Sequence, residues 1–144
     1  MEEHQVPEVN QHACIVIDYY IGGYGPTIRI ECPTVGLLRA LRDQVAKLAS
    51  GDLTSFRLGA SPMARLSNLS DLALDVVPAD TTKTLFRSST PGGTVAFHWR
   101  NSTAAWERHT GLLDALISDG GPAHQYLTKE DVDDALVEVC LAEQ

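Results

Sequence analysis

Three features of the residue pattern predict an α+β domain, with a mostly antiparallel sheet and about three helices packed on one face. Apolar residues alternate with a period of two over several short stretches. Other stretches repeat every three to four residues, as amphipathic helices do. Tight turns rich in Gly and Pro link one strand to the next, where a parallel sheet would need long crossovers.

Residues 13–21 read as the first strand, with Ile15, Ile17 and Tyr19 on one face; residues 27–32 return with Ile28, Ile30 and Cys32. Gly22-Gly23-Tyr24-Gly25-Pro26 is the hairpin loop between them. Pairing Tyr19 with Ile28 and Ile17 with Ile30 sets Asp18 opposite Arg29 on the other face, so packing and charge agree on one register. Leu37, Leu38, Leu41, Val45 and Leu48 then form a helical stripe, with Thr34 as N-cap, Gly51 as the stop and Asp43–Lys47 as an exposed pair. Residues 53–58 read as a strand using Thr54, Phe56 and Leu58, and residues 59–68 as a loop.

A meander follows. Residues 72–77 alternate, Pro78-Ala79-Asp80 turns the chain into residues 83–88, and Thr90-Pro91-Gly92-Gly93 turns it into residues 94–100. Pairing Phe86 with Phe97 and Thr84 with Trp99 buries Leu72, Leu74, Val76, Phe86, Val95, Phe97 and Trp99. Lys83, Leu85, Arg87, His98 and Arg100 fall on the opposite face. After the capping cluster Asn101-Ser102-Thr103, residues 104–118 are helical, carrying Trp106, His109, Leu113, Leu116 and Ile117 on one side and ending at Gly120-Gly121-Pro122. A short extended piece, residues 124–127, leads to Thr128 as N-cap of a last helix, whose first turn Lys129-Glu130-Asp131 suits the helix dipole.

The chain has 144 residues, 44% hydrophobic and 21% charged, the composition of one globular domain. At that length it buries roughly 70% of its unfolded surface, so no metal or disulfide is needed for folding. Residues 1–12 are polar and read as a flexible lead-in, which places the single α+β domain at residues 13–144. Apolar runs such as Ile15-Val16-Ile17 fall far short of the ~20 residues of a membrane span. The start of the chain lacks the basic and apolar regions of a secretory signal, so a cytoplasmic location is expected. Cys14, Cys32 and Cys140 show no CxxC spacing and read as buried free thiols.

The net charge of −8 weighs against nucleic acid and anionic lipid as partners and favours a basic protein. Glu130, Asp131, Asp133, Asp134 and Glu138 cluster on the expected last helix, whose Val132, Leu136, Val139 and Cys140 face the core. The acids form either a solvated face or a docking surface for such a partner. Val137 and Leu141 fall off that stripe, which suggests a second apolar contact. Tyr20 and Tyr24, beside and within the hairpin loop, are further contact candidates.

Arg87, His98 and Arg100 form a candidate anion site on the sheet, although neither a nucleophile nor a carboxylate orienting His98 is identifiable by spacing. His109 reads as a core-edge histidine. His4, His12, His98, His109 and His124 lack metal-ligand spacing, and Gly22-Gly23-Tyr24-Gly25 lacks the pattern of a phosphate loop, so no metal, cofactor or catalytic residue is assigned.

In size, acidity and element order, the closing stretch His124-Gln125-Tyr126-Leu127-Thr128-Lys129-Glu130-Asp131-Val132 after a meander resembles small immunity proteins of bacterial polymorphic-toxin systems. The resemblance spans the last half of the chain and contains no diagnostic motif. It implies a non-enzymatic cytoplasmic module that binds and neutralises a cognate toxin. Two alternatives stand beside it: a small-anion-binding protein or enzyme using the face around His98, and a self-associating domain that forms a homodimer through the open sheet edge or the last helix.

Overall fold

The computed structural model describes residues 13–78, 83–89, 92–128 and 133–142. In chain order these form β1 (Ile15–Gly22), β2 (Gly25–Cys32), α1 (Val35–Ser50), β3 (Ser55–Arg57), a 3-10 turn (Leu58–Ala60), β4 (Ala64–Ser67), β5 (Asp71–Val76), β6 (Leu85–Ser89), β7 (Val95–Asn101), α2 (Thr103–Asp119), β8 (Ala123–Tyr126) and β9 (Leu136–Leu141). The strands make two sheets, ordered β4-β1-β2-β9-β8 and β3-β5-β7-β6. The α+β character is as predicted. Both sheets are mixed, however, because β1–β4, β2–β9 and β5–β7 run parallel.

The first hairpin has the predicted register, with Tyr19 opposite Ile28, Ile17 opposite Ile30 and Asp18 opposite Arg29. Its loop is tighter than expected: Gly22 pairs with Gly25, leaving Gly23-Tyr24 as a two-residue turn. Helix α1 starts at Thr34, whose hydroxyl accepts from the Leu37 amide, and stops at Gly51 in the left-handed conformation (φ 87°). Helix α2 is capped in the same way by Ser102 and Gly120. Between β3 and β4, Gly59 lies against Asp71, whose carboxylate accepts from the Gly59 amide at 2.9 Å and from Arg57 Nε at 2.6 Å. A Cβ at position 59 would also meet the Ser70 carbonyl oxygen at 3.0 Å, so only glycine lets the chain pass there. The stretch expected to be loop contains β4, which pairs with β1.

Three expectations are corrected. The central strands are not a meander: β7 lies between β5 and β6 and is parallel to β5. The β6–β7 register is shifted by one residue from the expected one, Leu85 facing Trp99, Phe86 facing His98 and Arg87 facing Phe97. Because sides alternate along a strand, the slip buries Leu85 and turns Phe86 outward. Third, residues 136–141 are not helical but form β9, the strand between β2 and β8. Val137, Val139 and Leu141 point into the core, so the residues expected to fall off a helical stripe are among the most buried.

The two helices pack on each other and on both sheets, α1 against β2 and β5, α2 against β7 and β8. Arg42 on α1 joins Asp114 on α2 through Nε at 2.7 Å. One continuous core results, running from Ile17, Ile30 and Val139 through Leu38 and Leu48 to Leu74, Phe97 and Trp106. Tyr19 and Phe97 bring the two sheets together, their rings 5.1 Å apart. The inner face of the five-stranded sheet belongs to this core; on its outer face Arg29 is exposed, Asp18, Tyr20, Glu31 and Glu138 are half-buried, and Thr27, Leu136 and Cys140 are buried.

Candidate functional site

Register fixes what that outer face displays. Directly opposed residues share a side, so one cross-strand row reads Ser67, Asp18, Arg29, Glu138, Tyr126 from β4 to β8. The neighbouring row reads Arg65, Val16, Glu31, Cys140, His124, and Tyr20, opposite Thr27, continues the same face beyond the first row's other flank. Two shallow depressions flank Arg29 and Glu31. The first, of about 400 Å³, is lined by Val16, Asp18, Tyr20 and Ser67; the second, of about 450 Å³, by Ala123, His124, Glu138 and Cys140.

The polar groups interlock. His124 Nδ1 lies 2.7 Å from Glu138 Oε2, and Asn68 Nδ2 donates to Asp18 Oδ1 at 2.8 Å. Cys140 and then the carboxylates Glu31 and Glu138 hold the pKa of neighbouring Arg29 above its ordinary value, against the opposing effect of burial. Burial, reinforced by Glu138, pushes the Cys140 thiol up to about 11, which leaves it protonated and unreactive at neutral pH. Burial and then Glu138 raise Tyr20 and Tyr126 in the same direction. The Tyr20 and Tyr126 hydroxyls therefore stay protonated, and Glu138 lies between Arg29 and His124.

The large apolar side chains most exposed among the described residues are Ile21 (70%), Tyr24 (71%) and Tyr126 (39%). All three lie at the hairpin end of this sheet: Ile21 and Tyr24 sit at the β1–β2 turn, and Tyr126 ends β8 beside them. Tyr24 and Tyr126 form with Tyr20 an aromatic corner next to the carboxylates, whereas Ile21 alternates with Tyr20 and falls on the same side of β1 as Ile17 and Tyr19.

The sequence candidates are distributed as follows. Tyr20, Tyr24 and Glu138 come together on this face. Glu130 and Asp131 lie outside the described residues. Asp133 and Asp134 are not on a helix and serve the interior: Asp133 Oδ1 accepts from the Thr84 and Leu85 amides at 2.6 and 2.9 Å, and Asp134 Oδ2 accepts from the Arg87 amide at 2.8 Å. Burial pushes Asp134 up, but bonds from Lys83 and the Arg87 amide outweigh it and hold its carboxyl below the usual range.

Arg87, His98 and Arg100 are not brought together. His98 and Arg100 share the outer face of the four-stranded sheet with Phe86, whose ring lies 5.3 Å from the Lys83 amine and 5.2 Å from the Arg100 guanidinium. Arg87 points to the other side and covers Tyr19 at 5.8 Å. His109 is a core residue as read, packed on Trp99 and Trp106. The cysteines are free; Cys32 and Cys140 are buried as expected, and Cys14 is half-buried.

Sequence reading missed Tyr126 and His124 as parts of the face. Their signal is the two-residue spacing, which puts both on one side of a strand, but it becomes readable only once residues 136–141 are recognised as the partner strand. Comparison with protein-family models, curated proteins and solved structures finds no match to this chain.

Proposed function

We propose that this chain is a non-enzymatic protein-binding module of the immunity type, which engages a basic toxin domain through the outer face of the five-stranded sheet. The observation that carries the reading is the gathering of Tyr20, Tyr24 and Tyr126 at the hairpin end of the outer face of this sheet, with Tyr24 and Tyr126 exposed. Tyrosines supply contact area at low entropic cost and dominate many interface hot spots. Asp18, Glu31 and Glu138, beside that corner, provide the charge that a basic surface complements, in keeping with the overall −8.

The test is binding to the purified product of the adjacent gene. A 1:1 complex by light scattering, with loss of that product's toxicity on co-expression, supports the reading. Tyr24→Ala combined with Tyr126→Ala is expected to weaken the complex by about 100-fold. A complex indifferent to both substitutions would displace the interface from this face, and absence of any complex would remove the toxin-binding reading.

A further inference from the structure

Each sheet ends in two edge strands, β4 and β8 in the five-stranded one, β3 and β6 in the other. An edge presents unpaired backbone groups and accepts a further strand unless it is short, charged or covered. Three of these edges are guarded in that way. β3 is three residues long and carries Arg57, β4 carries Arg65, and on β6 the Leu85 and Arg87 amides donate to Asp133 and Asp134. The fourth, β8, reads Ala123-His124-Gln125-Tyr126 and contains no Lys, Arg, Asp, Glu or Pro.

The register assigns its open side. The Leu127 amide donates at 2.8 Å to the carbonyl of Val137, the residue directly opposite, so Leu127, Gln125 and Ala123 turn their backbone groups to β9 while Tyr126 and His124 turn theirs outward. Among the described residues, these outward groups receive one long bond, 3.4 Å, from Gln125 Nε2 to the Tyr126 carbonyl. The side chains of the same two residues are exposed on the proposed binding face, their rings 5.5 Å apart.

We infer that the partner binds by strand addition, an extended segment of the basic protein pairing with β8 and making the five-stranded sheet six-stranded. The inference rests on the proposed toxin-binding reading of this face and specifies how the partner engages it. Backbone bonds at His124 and Tyr126 fix the added strand, and its alternate side chains fall beside their rings, where a Lys or Arg packs against Tyr126.

The test uses the full chain and the purified product of the adjacent gene. In the free chain, amide exchange is expected to be fast at His124 and Tyr126 and slow at Gln125, and the complex is expected to slow the first two at least about tenfold. His124→Pro removes an outward N–H that an edge strand can spare, whereas His124→Ala removes the same ring and keeps the N–H. The Pro variant, shown by circular dichroism to be folded, is expected to bind at least about tenfold more weakly than the Ala variant. Equal affinities of the two variants, or a complex in which His124 and Tyr126 exchange as they do in the free chain, overturns strand addition and leaves the toxin-binding reading standing. Both amides protected in the free chain also overturns it, because the edge is then closed. Absence of any complex removes both readings. Should the Pro variant unfold, exchange in the wild-type complex decides alone.

Discussion

His109 shows how one side chain couples packing to pH. It sits on α2 with its ring 5.2 Å from Trp99 and 5.7 Å from Trp106. Burial, helped by Arg108 and opposed by Asp133, lowers its pKa from 6.5 to about 4. The neutral ring is the one that packs, and charging it inside the aromatic cluster is disfavoured. Between pH 6.5 and about 4 the unfolded chain therefore binds more protons than the folded one, and stability falls as pH is lowered through that window. At ~1.4 kcal/mol per pH unit, the full window amounts to about 3 kcal/mol. Urea unfolding at pH 7, 5.5 and 4.5 should show this loss in the wild type and a shallower one in His109→Gln. Parallel pH profiles for the two proteins would assign the acid sensitivity to other groups.

Elements specified by local chemistry were legible in the sequence, and those specified by distant pairing were not. Thr34, Gly51, Ser102 and Gly120 mark both helices because a cap is a bond between near neighbours. The first hairpin was readable because Asp18–Arg29 and the isoleucines select the same register. Strand β9 was misread for two reasons. Acids before it imitate a helix N-terminus, and because Leu136 and Cys140 on its outer side are buried as well as Val137, Val139 and Leu141 on its core side, only Glu138 is left to mark the alternation. The β-branched Val137 and Val139 were the local hint. The same misreading hid the candidate face, since His124, Tyr126 and Glu138 converge only when β8 and β9 pair. Thr128 holds that hairpin closed: its hydroxyl donates to the Ala135 carbonyl at 2.9 Å and accepts from the Val137 amide at 2.7 Å. Thr128→Val keeps the shape and removes both bonds, and is expected to cost about 1–3 kcal/mol. Amide exchange should quicken first in β8 and the start of β9. Uniform acceleration across both sheets would show that the hairpin is not a separate unit.

For the molecule as a whole, placing the residues redistributes the meaning of its −8 charge. Asp133 and Asp134 are used to tie down β6, so they contribute to the fold and little to a partner's approach. Asp18 and Glu31, half-buried, line one depression of the proposed binding face with Tyr20. Long-range attraction acts on encounter more than on the final contact, and it weakens as the Debye length shrinks from ~10 Å at 0.1 M salt to ~3 Å at 1 M. Asp18→Lys with Glu31→Lys is therefore expected to slow association with a basic partner by about tenfold at low salt, with the deficit closing as salt is raised and the dissociation rate changing less. Charge reversal at Asp133 and Asp134 should instead appear first as lost stability in urea, because each carboxylate leaves backbone N–H groups unpaired. Stopped-flow association against salt, run beside urea melts of the same variants, separates the two pairs. If reversal at Asp18 and Glu31 leaves the association rate unchanged while reversal at Asp133 and Asp134 slows it without destabilising the chain, the electrostatic approach runs over β6 and not over the five-stranded sheet.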